Sequence, residues 1–156
     1  MKTEIGQQAP DFSLYDSAKN KLTLSELKGN NILLLFFPMA FTSTCTRELC
    51  SVRDNIGIYA KANALVFGIS VDSLYTLAKF KEEQQLNFSL LSDFNKEASI
   101  AYDCLYKNWN YGMKGVSKRS AFIIDKNGAI QYAEVLENAG QVPDFEKINN
   151  TISSLV

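Results

Sequence analysis

Ile32-Leu33-Leu34-Leu35-Phe36-Phe37-Pro38-Met39-Ala40-Phe41-Thr42-Ser43-Thr44-Cys45-Thr46-Arg47-Glu48-Leu49-Cys50 passes from an apolar run, through a proline and a hydroxyl-rich loop, to a cysteine placed where a helix should begin. The unbroken apolar run Ile32 to Phe37 has the pattern of a central strand buried on both faces. Pro38 ends it. A thiol at a helix N-terminus faces unpaired backbone N–H groups and the positive end of the helix dipole. Both favour the thiolate, which is the reactive form of cysteine. Cys50 follows five residues later. The pattern is that of a nucleophilic or redox cysteine with a potential disulfide partner beside it.

Outward from this stretch, strand and helix periodicities alternate, which predicts an α/β fold with a mainly parallel sheet and helices on its faces. Pro10 to Asp16 and Leu22 to Leu24 read as short strands joined by a turn at Ser17 to Lys21. Ser25 to Lys28 reads as one helical turn closed by Gly29. Leu49, Val52, Ile56 and Tyr59 repeat at helical spacing and predict one helix from about Cys45 to Ala62. Ala64 to Val71 is a second buried strand, followed by a helix over Leu74 to Gln85 capped by Asp72 or Ser73. Phe88 to Leu91 is a short strand and Lys96 to Tyr102 a short helix. Arg119 to Ile124 and Ala129 to Val135 pair around Asp125-Lys126-Asn127-Gly128, a hairpin signal. Pro143 to Leu155 closes the chain as a helix. Leu105 to Lys118, with Trp109, Asn110, Tyr111 and Gly112, is an ordered loop. No repeat or linker divides residues 1–156, so one domain is expected.

The composition narrows the chemistry. The net charge is −1 with no basic stripe, which argues against nucleic-acid binding. No apolar run reaches the length of a membrane-spanning helix. Met1 to Gln8 has no apolar core of a secretory signal, so the cytoplasm is the expected location. There its three cysteines are packing residues, ligands or reactive thiols rather than structural disulfides. The chain has no histidine. That removes Cys-His and Ser-His-Asp hydrolases in their usual forms and leaves little for a zinc site. No Gly-rich phosphate loop follows a strand.

Pro38-x-x-x-Thr42-x-x-Cys45 resembles the signature of the peroxiredoxins, thiol peroxidases on a thioredoxin-like fold. Its continuation through Arg47, Glu48, Cys50, Arg53 and Asp54 is similar to the bacterioferritin-comigratory, or Q-type, subgroup. Ala9 to Phe12, Val66 to Asp72, Leu90 to Asp93 and Arg119 to Gly128 extend the likeness over nearly the whole chain. The resemblance implies a central mixed β-sheet flanked by helices, with an N-terminal β-hairpin extension. It implies that Cys45 attacks a hydroperoxide and becomes sulfenic acid, sulfur chemistry that needs no metal, haem or flavin. Thr42 would turn its hydroxyl toward the sulfur and the peroxide, or cap the helix. Pro38 would close the back of the pocket, or simply end the strand. Arg119 would favour the thiolate and donate to the peroxide, unless it is a surface arginine; Lys118 beside it is the residue most easily confused with it. Glu48 would orient an arginine, or remain a solvated carboxylate. Cys50 is the candidate resolving thiol, with a core-facing cysteine and an external resolving thiol as the alternative. Cys104 reads as a packing residue. Phe37, Met39, Phe41 and Trp109 would collar the site, or belong to an aromatic-rich core. Thioredoxin or a similar dithiol protein would be the reductant, and the protein a monomer or homodimer.

Helix geometry limits the pairing of the two cysteines. Residues five apart in an α-helix have Cα atoms roughly 8.7 Å apart, beyond the usual disulfide limit of about 7 Å. A Cys45–Cys50 bond therefore requires the helix to unwind locally. Two other functions remain on the same fold. A thiol–disulfide oxidoreductase usually carries Cys-x-x-Cys, whereas the spacing here is Cys-x-x-x-x-Cys. A redox sensor would form the disulfide without turning over.

Overall fold

The computed structural model describes residues 3–155; Met1 and Lys2, which opened the reading of the N-terminus, lie outside them, as does Val156. Among these residues seven strands run in chain order: β1 (Ser13–Asp16), β2 (Lys21–Thr23), β3 (Asn31–Phe36), β4 (Ala64–Ser70), β5 (Ser89–Ser92), β6 (Ser120–Ile124) and β7 (Ile130–Val135). They form one sheet in the order β2-β1-β5-β4-β3-β6-β7. Five helices accompany them: α1 (Ser43–Asp54), α2 (Ile56–Lys61), α3 (Leu74–Gln84), α4 (Glu97–Ala101) and α5 (Phe145–Ser154). The sheet is mixed, and the β1–β2 hairpin extends it at one edge.

The apolar run is the central strand: every residue of β3 is buried. Its side chains divide by period two between the faces. Leu33 and Leu35 join Leu49 and Val52 of α1, Leu77 and Phe80 of α3, and Ile148 and Ile152 of α5 in one core. Ile32, Leu34 and Phe36 join Phe12, Leu14, Tyr102 and Phe122 in the other.

Two features depart from the periodicity reading. Only β3–β4 and β4–β5 are parallel; the other four pairs are antiparallel. An unbroken apolar run reports burial on both faces, and β6, buried at every position, meets that condition while running antiparallel to β3. The pattern therefore carries no strand direction. The helix expected over Cys45 to Ala62 is two helices, broken at Asn55 (φ −114°, ψ 20°). Asn55 donates its side-chain amide to the Ser51 carbonyl at 2.8 Å, competing with the helix ladder. Gly57 then adds a poor helix former.

Of the two candidate caps for α3, Ser73 takes the role, its hydroxyl oxygen accepting the Thr76 N–H at 3.1 Å. The loop over Leu105 to Lys118 is ordered, with a bridge between Leu105 and Ser117 and a single 3-10 turn at Asn110–Gly112.

Gly68 of β4 sits where the sheet packs tightly. A Cβ there would lie 2.7 Å from Leu90 Cδ2 and 3.3 Å from Phe37 Cε1. Gly68→Ala is expected to lower stability by about 1–3 kcal/mol, through overpacking. A urea denaturation midpoint equal to that of the wild type would show that this part of the core yields.

Candidate active site

The cysteine loop is held from below before its helix begins. Phe37 continues the β3 ladder, donating its N–H to the Ile69 carbonyl at 2.9 Å. Pro38 is buried at the strand end. Ala40 then donates its N–H to Asp72 Oδ2 at 2.8 Å, and the same oxygen accepts the Ser70 hydroxyl at 2.7 Å. Asp72 thereby ties the loop after β3 to the end of β4. Phe41 takes a left-handed backbone (φ +66°) and sets its ring edge-on to Phe80, with centroids 5.2 Å apart. Thr42 occupies the N-cap position of α1, which places Cys45 in the helix's first turn.

Cys45 is buried, and Arg119 Nη2 donates to its Sγ at 3.1 Å. Arg119 precedes β6 and is itself only 1% exposed. Its Nη1 donates to Glu48 Oε1 at 2.7 Å, while Nε and Nη2 donate to the Ala139 carbonyl at 3.3 and 3.0 Å. One guanidinium thus gathers the thiol, a carboxylate one helical turn further along α1, and a backbone oxygen from the loop after β7. Lys118 turns elsewhere, to Glu137 at 2.7 Å. Burial works against the charge of Arg119, and Glu48 and Cys45 offset it, so its pKa is held above the ordinary value.

Glu48 is a buried carboxylate with one oxygen paired. Among the described residues its Oε2 has no hydrogen-bond partner. Desolvation pushes its pKa up to about 7 against the opposing pull of Arg119. The unpartnered oxygen explains why burial outweighs the ion pair.

The helix cap expected as one role of Thr42 is not made among the described residues: its hydroxyl donates to the Met39 carbonyl at 2.7 Å instead. Its residue lines the same cavity as Arg119. Cys50 is half-buried on α1 and donates to Gln84 Oε1 of α3 at 3.4 Å. Arg53, one turn later, donates to the Gln84 carbonyl, and Asn87 donates to the Arg53 carbonyl at 3.2 Å. Cys104 is fully buried, and desolvation pushes its thiol up to about 12. All three cysteines are free thiols.

A cavity of about 290 Å³ opens beside the guanidinium, lined mainly by Met39, Thr42, Trp109, Met113, Arg119 and Ala139. Of the expected collar, Met39 and Trp109 are in its wall. Phe37 lies in the core and Phe41 packs on Phe80 instead. Among the described residues no group of three or more His, Cys, Asp or Glu side chains could hold a metal ion. Among the same residues no helix is long and apolar enough to cross a membrane.

Sequence reasoning missed three contributors. Asp72 was legible as a cap only, because an acid before a helix has that ordinary use. Gln84 carries no local signal. Ala139 contributes a backbone oxygen, which no side-chain pattern announces.

The sequence profile of the AhpC/TSA family matches residues 5–133. The chain belongs to that family, the peroxiredoxins. It is 39% identical over 132 residues to peroxiredoxin Bcp of Bacillus subtilis, covering 83% of each chain. It is 32% identical to alkyl hydroperoxide reductase E of Mycobacterium tuberculosis, over 97% of each. The crystal structure of peroxidoxin BcpB from Mycobacterium tuberculosis superposes with a TM-score of 0.86 at 27% identity, over 99% of each chain. A mutant PrxQ from Xylella fastidiosa shares the fold, with a TM-score of 0.87 at 24% identity over 99% of this chain and 98% of that one. The family makes this protein a thiol-dependent peroxidase.

The raised pKa of Glu48 fixes the sign of a pH effect. Between its ordinary value of 4.5 and about 7, the unfolded chain releases the proton and the folded chain keeps it. Stability from this group is therefore full below about 4.5 and lost as pH rises through about 7. Glu48→Gln is expected to flatten that pH dependence, because the amide does not titrate. Urea midpoints measured from acid to neutral pH check it; parallel curves for the two proteins would contradict it.

Proposed function

We propose that Cys45 reduces hydrogen peroxide and organic hydroperoxides, that Cys50 resolves the oxidised sulfur, and that thioredoxin or a similar dithiol protein restores both thiols. The observation that carries this reading is the buried guanidinium 3.1 Å from the Cys45 sulfur in the first turn of α1. A cation and a helix N-terminus are what a nucleophilic thiolate needs.

The thiolate attacks the nearer peroxide oxygen in line with the O–O bond. A sulfur–oxygen bond forms, the O–O bond breaks, and the leaving hydroxide or alkoxide takes a proton to become water or an alcohol. Arg119 holds the sulfur as an anion and donates to the oxygen on which charge develops. Thr42 keeps its oxygen lone pairs free to accept the proton of the bound peroxide, because its own proton is engaged by Met39. Pro38 shields the sulfur from below. Glu48 holds Arg119 in place.

Cys50 then attacks the sulfenic sulfur of Cys45, releasing water and forming a disulfide. Helix geometry forbids that bond while α1 is intact, so the first turns unwind in this step. The external dithiol reduces the disulfide by exchange and is itself oxidised. We read residues 1–156 as one such domain, working in the cytoplasm as a monomer or homodimer.

Reduced protein given one equivalent of hydrogen peroxide tests the reading by thiol loss and peptide mass. Fast loss of two thiols with a Cys45–Cys50 link is expected. Cys45→Ser should abolish peroxide reduction; retained turnover would end the assignment. Cys50→Ser should keep the first oxidation and stop the thioredoxin-linked cycle, and unchanged cycling would transfer resolution to another thiol. Slow oxidation, no faster than free cysteine, would favour the sensor.

Arg119→Ala should slow the first oxidation by roughly 10²-fold, the cost of removing one preorganised donor at a developing charge. A rate equal to that of the wild type in stopped flow would take Arg119 out of the reaction.

A further inference from the structure

Cys45 and Cys50 share a helix but sit on unequally packed parts of it. Of residues 43–47, which open α1, only Cys45 is buried; Ser43 and Arg47 are exposed, and Thr44 and Thr46 are half-buried. Beyond them Glu48, Leu49 and Val52 are at most 2% exposed. Opening the helix from its N-terminus first displaces one buried side chain. Opening it from the other end would pull Leu49 and Val52 out of the core they share with α3 and α5, and burial of such side chains is a main source of stability. Local unfolding starts where buried contacts are fewest.

Cys50 lies on the well-packed part, and its turn is tied to α3 and the residues after it. Its thiol donates to Gln84 Oε1 at 3.4 Å. Arg53 donates to the Gln84 carbonyl, and the Asn87 side chain donates to the Arg53 carbonyl at 3.2 Å. Gln84 is itself held. It is the last residue of α3, where the chain turns through a left-handed Gln85 (φ +51°) and the Leu86 N–H returns to the Lys81 carbonyl at 3.1 Å. Leu86 and Phe88 are buried and anchor the segment that follows. The amide that meets Cys50 therefore projects from a locked helix end. Because that amide engages the thiol proton, the lone pairs of the Cys50 sulfur are left for an incoming electrophile.

We propose that Gln84 is a positioning residue of the resolving step: it holds the Cys50 sulfur at the seam between α1 and α3 as a fixed target, and the oxidised Cys45 travels to it. The proposal rests on the reading of Cys50 as the resolving thiol and assigns the motion within that step. The Cys50 sulfur attacks the sulfenic sulfur of Cys45. An S–S bond forms, the S–O bond breaks, and the departing hydroxide takes the Cys50 thiol proton and leaves as water. The thiol is oxidised and the sulfenic sulfur reduced, both to the level of the disulfide. A mere brace would give the opposite kinetic sign, since cutting it would loosen α1 and make the disulfide form faster.

The test separates the two steps. Reduced protein is mixed with hydrogen peroxide and quenched in acid at successive times, and the Cys45 sulfenic acid, the Cys45–Cys50 disulfide and the Cys45 sulfinic acid are measured by peptide mass. A second peroxide molecule oxidises any waiting sulfenic acid to sulfinic acid and is itself reduced to water, so the sulfinic share in excess peroxide reads the lifetime of the intermediate. Gln84→Ala keeps the backbone carbonyl that Arg53 uses. It should form the disulfide roughly fivefold more slowly, the scale of one lost hydrogen bond, and raise the sulfinic share. Its first oxidation should run at the wild-type rate, which also shows that the fold is intact. Disulfide formation at or above the wild-type rate would overturn the proposal, as would a fall of both steps by the same factor. A wild type that loses Cys45 thiol rapidly but forms no Cys45–Cys50 disulfide would remove Cys50 from resolution, and this proposal with it.

Discussion

A guanidinium buried to 1% exposure is the constraint around which the site is arranged. Removing such a charge from water is costly unless every donor finds an acceptor. Arg119 finds a sulfur, a carboxylate oxygen and a backbone carbonyl, and these come from α1 and from the loop after β7. The strand that follows Arg119 is locked against β3 over Ile32 to Phe36, so the cation cannot retreat to solvent without disturbing the centre of the sheet. The fold thus forces a cation against a thiol at a helix start. In the proposed function, activation of the sulfur follows from satisfying the arginine.

Glu48 shows how narrow the balance is. It neutralises Arg119 from one side while Cys45 draws on it from the other, and both acceptors lie on the same helix one turn apart. A carboxylate with an unpartnered buried oxygen is a poor anion. Asp72 plays the complementary part beneath the loop, where it holds Ala40 and the Ser70 hydroxyl and fixes the angle at which α1 departs.

Much of this was legible in the sequence. The central strand, the proline, and the cysteine at a helix start follow from an unbroken apolar run and the chemistry of a thiol facing unpaired N–H groups. Arg119 was legible from the family resemblance and not from its own surroundings, since Lys118 beside it has the same charge and points to Glu137. Strand direction was not legible, because burial on both faces gives β3 and β6 the same pattern although they run opposite ways. The break at Asn55 was hidden because Ile56 and Tyr59 keep the apolar rhythm of α1 across it. Backbone donors and acceptors, such as the Ala139 carbonyl and the Ala40 N–H, leave no trace in residue identity.

That break gives the proposed disulfide step its physical form. α1 ends at Asp54, and its last turns are fastened to α3 through Arg53 and Gln84, with Asn87 added behind them. The first turn is fastened differently, by the Asp72 bond to the preceding loop and by the attraction between Arg119 and the Cys45 sulfur. Oxidation acts on the second of these. In the proposed reaction a thiolate anion becomes a neutral sulfenic acid, and the charge facing Arg119 is removed. The first turn therefore loses a brace at the moment when unwinding is required, while the far end of α1 keeps its own. On this account the reduced helix is stabilised by the charge that makes it reactive, and the chemistry itself releases it.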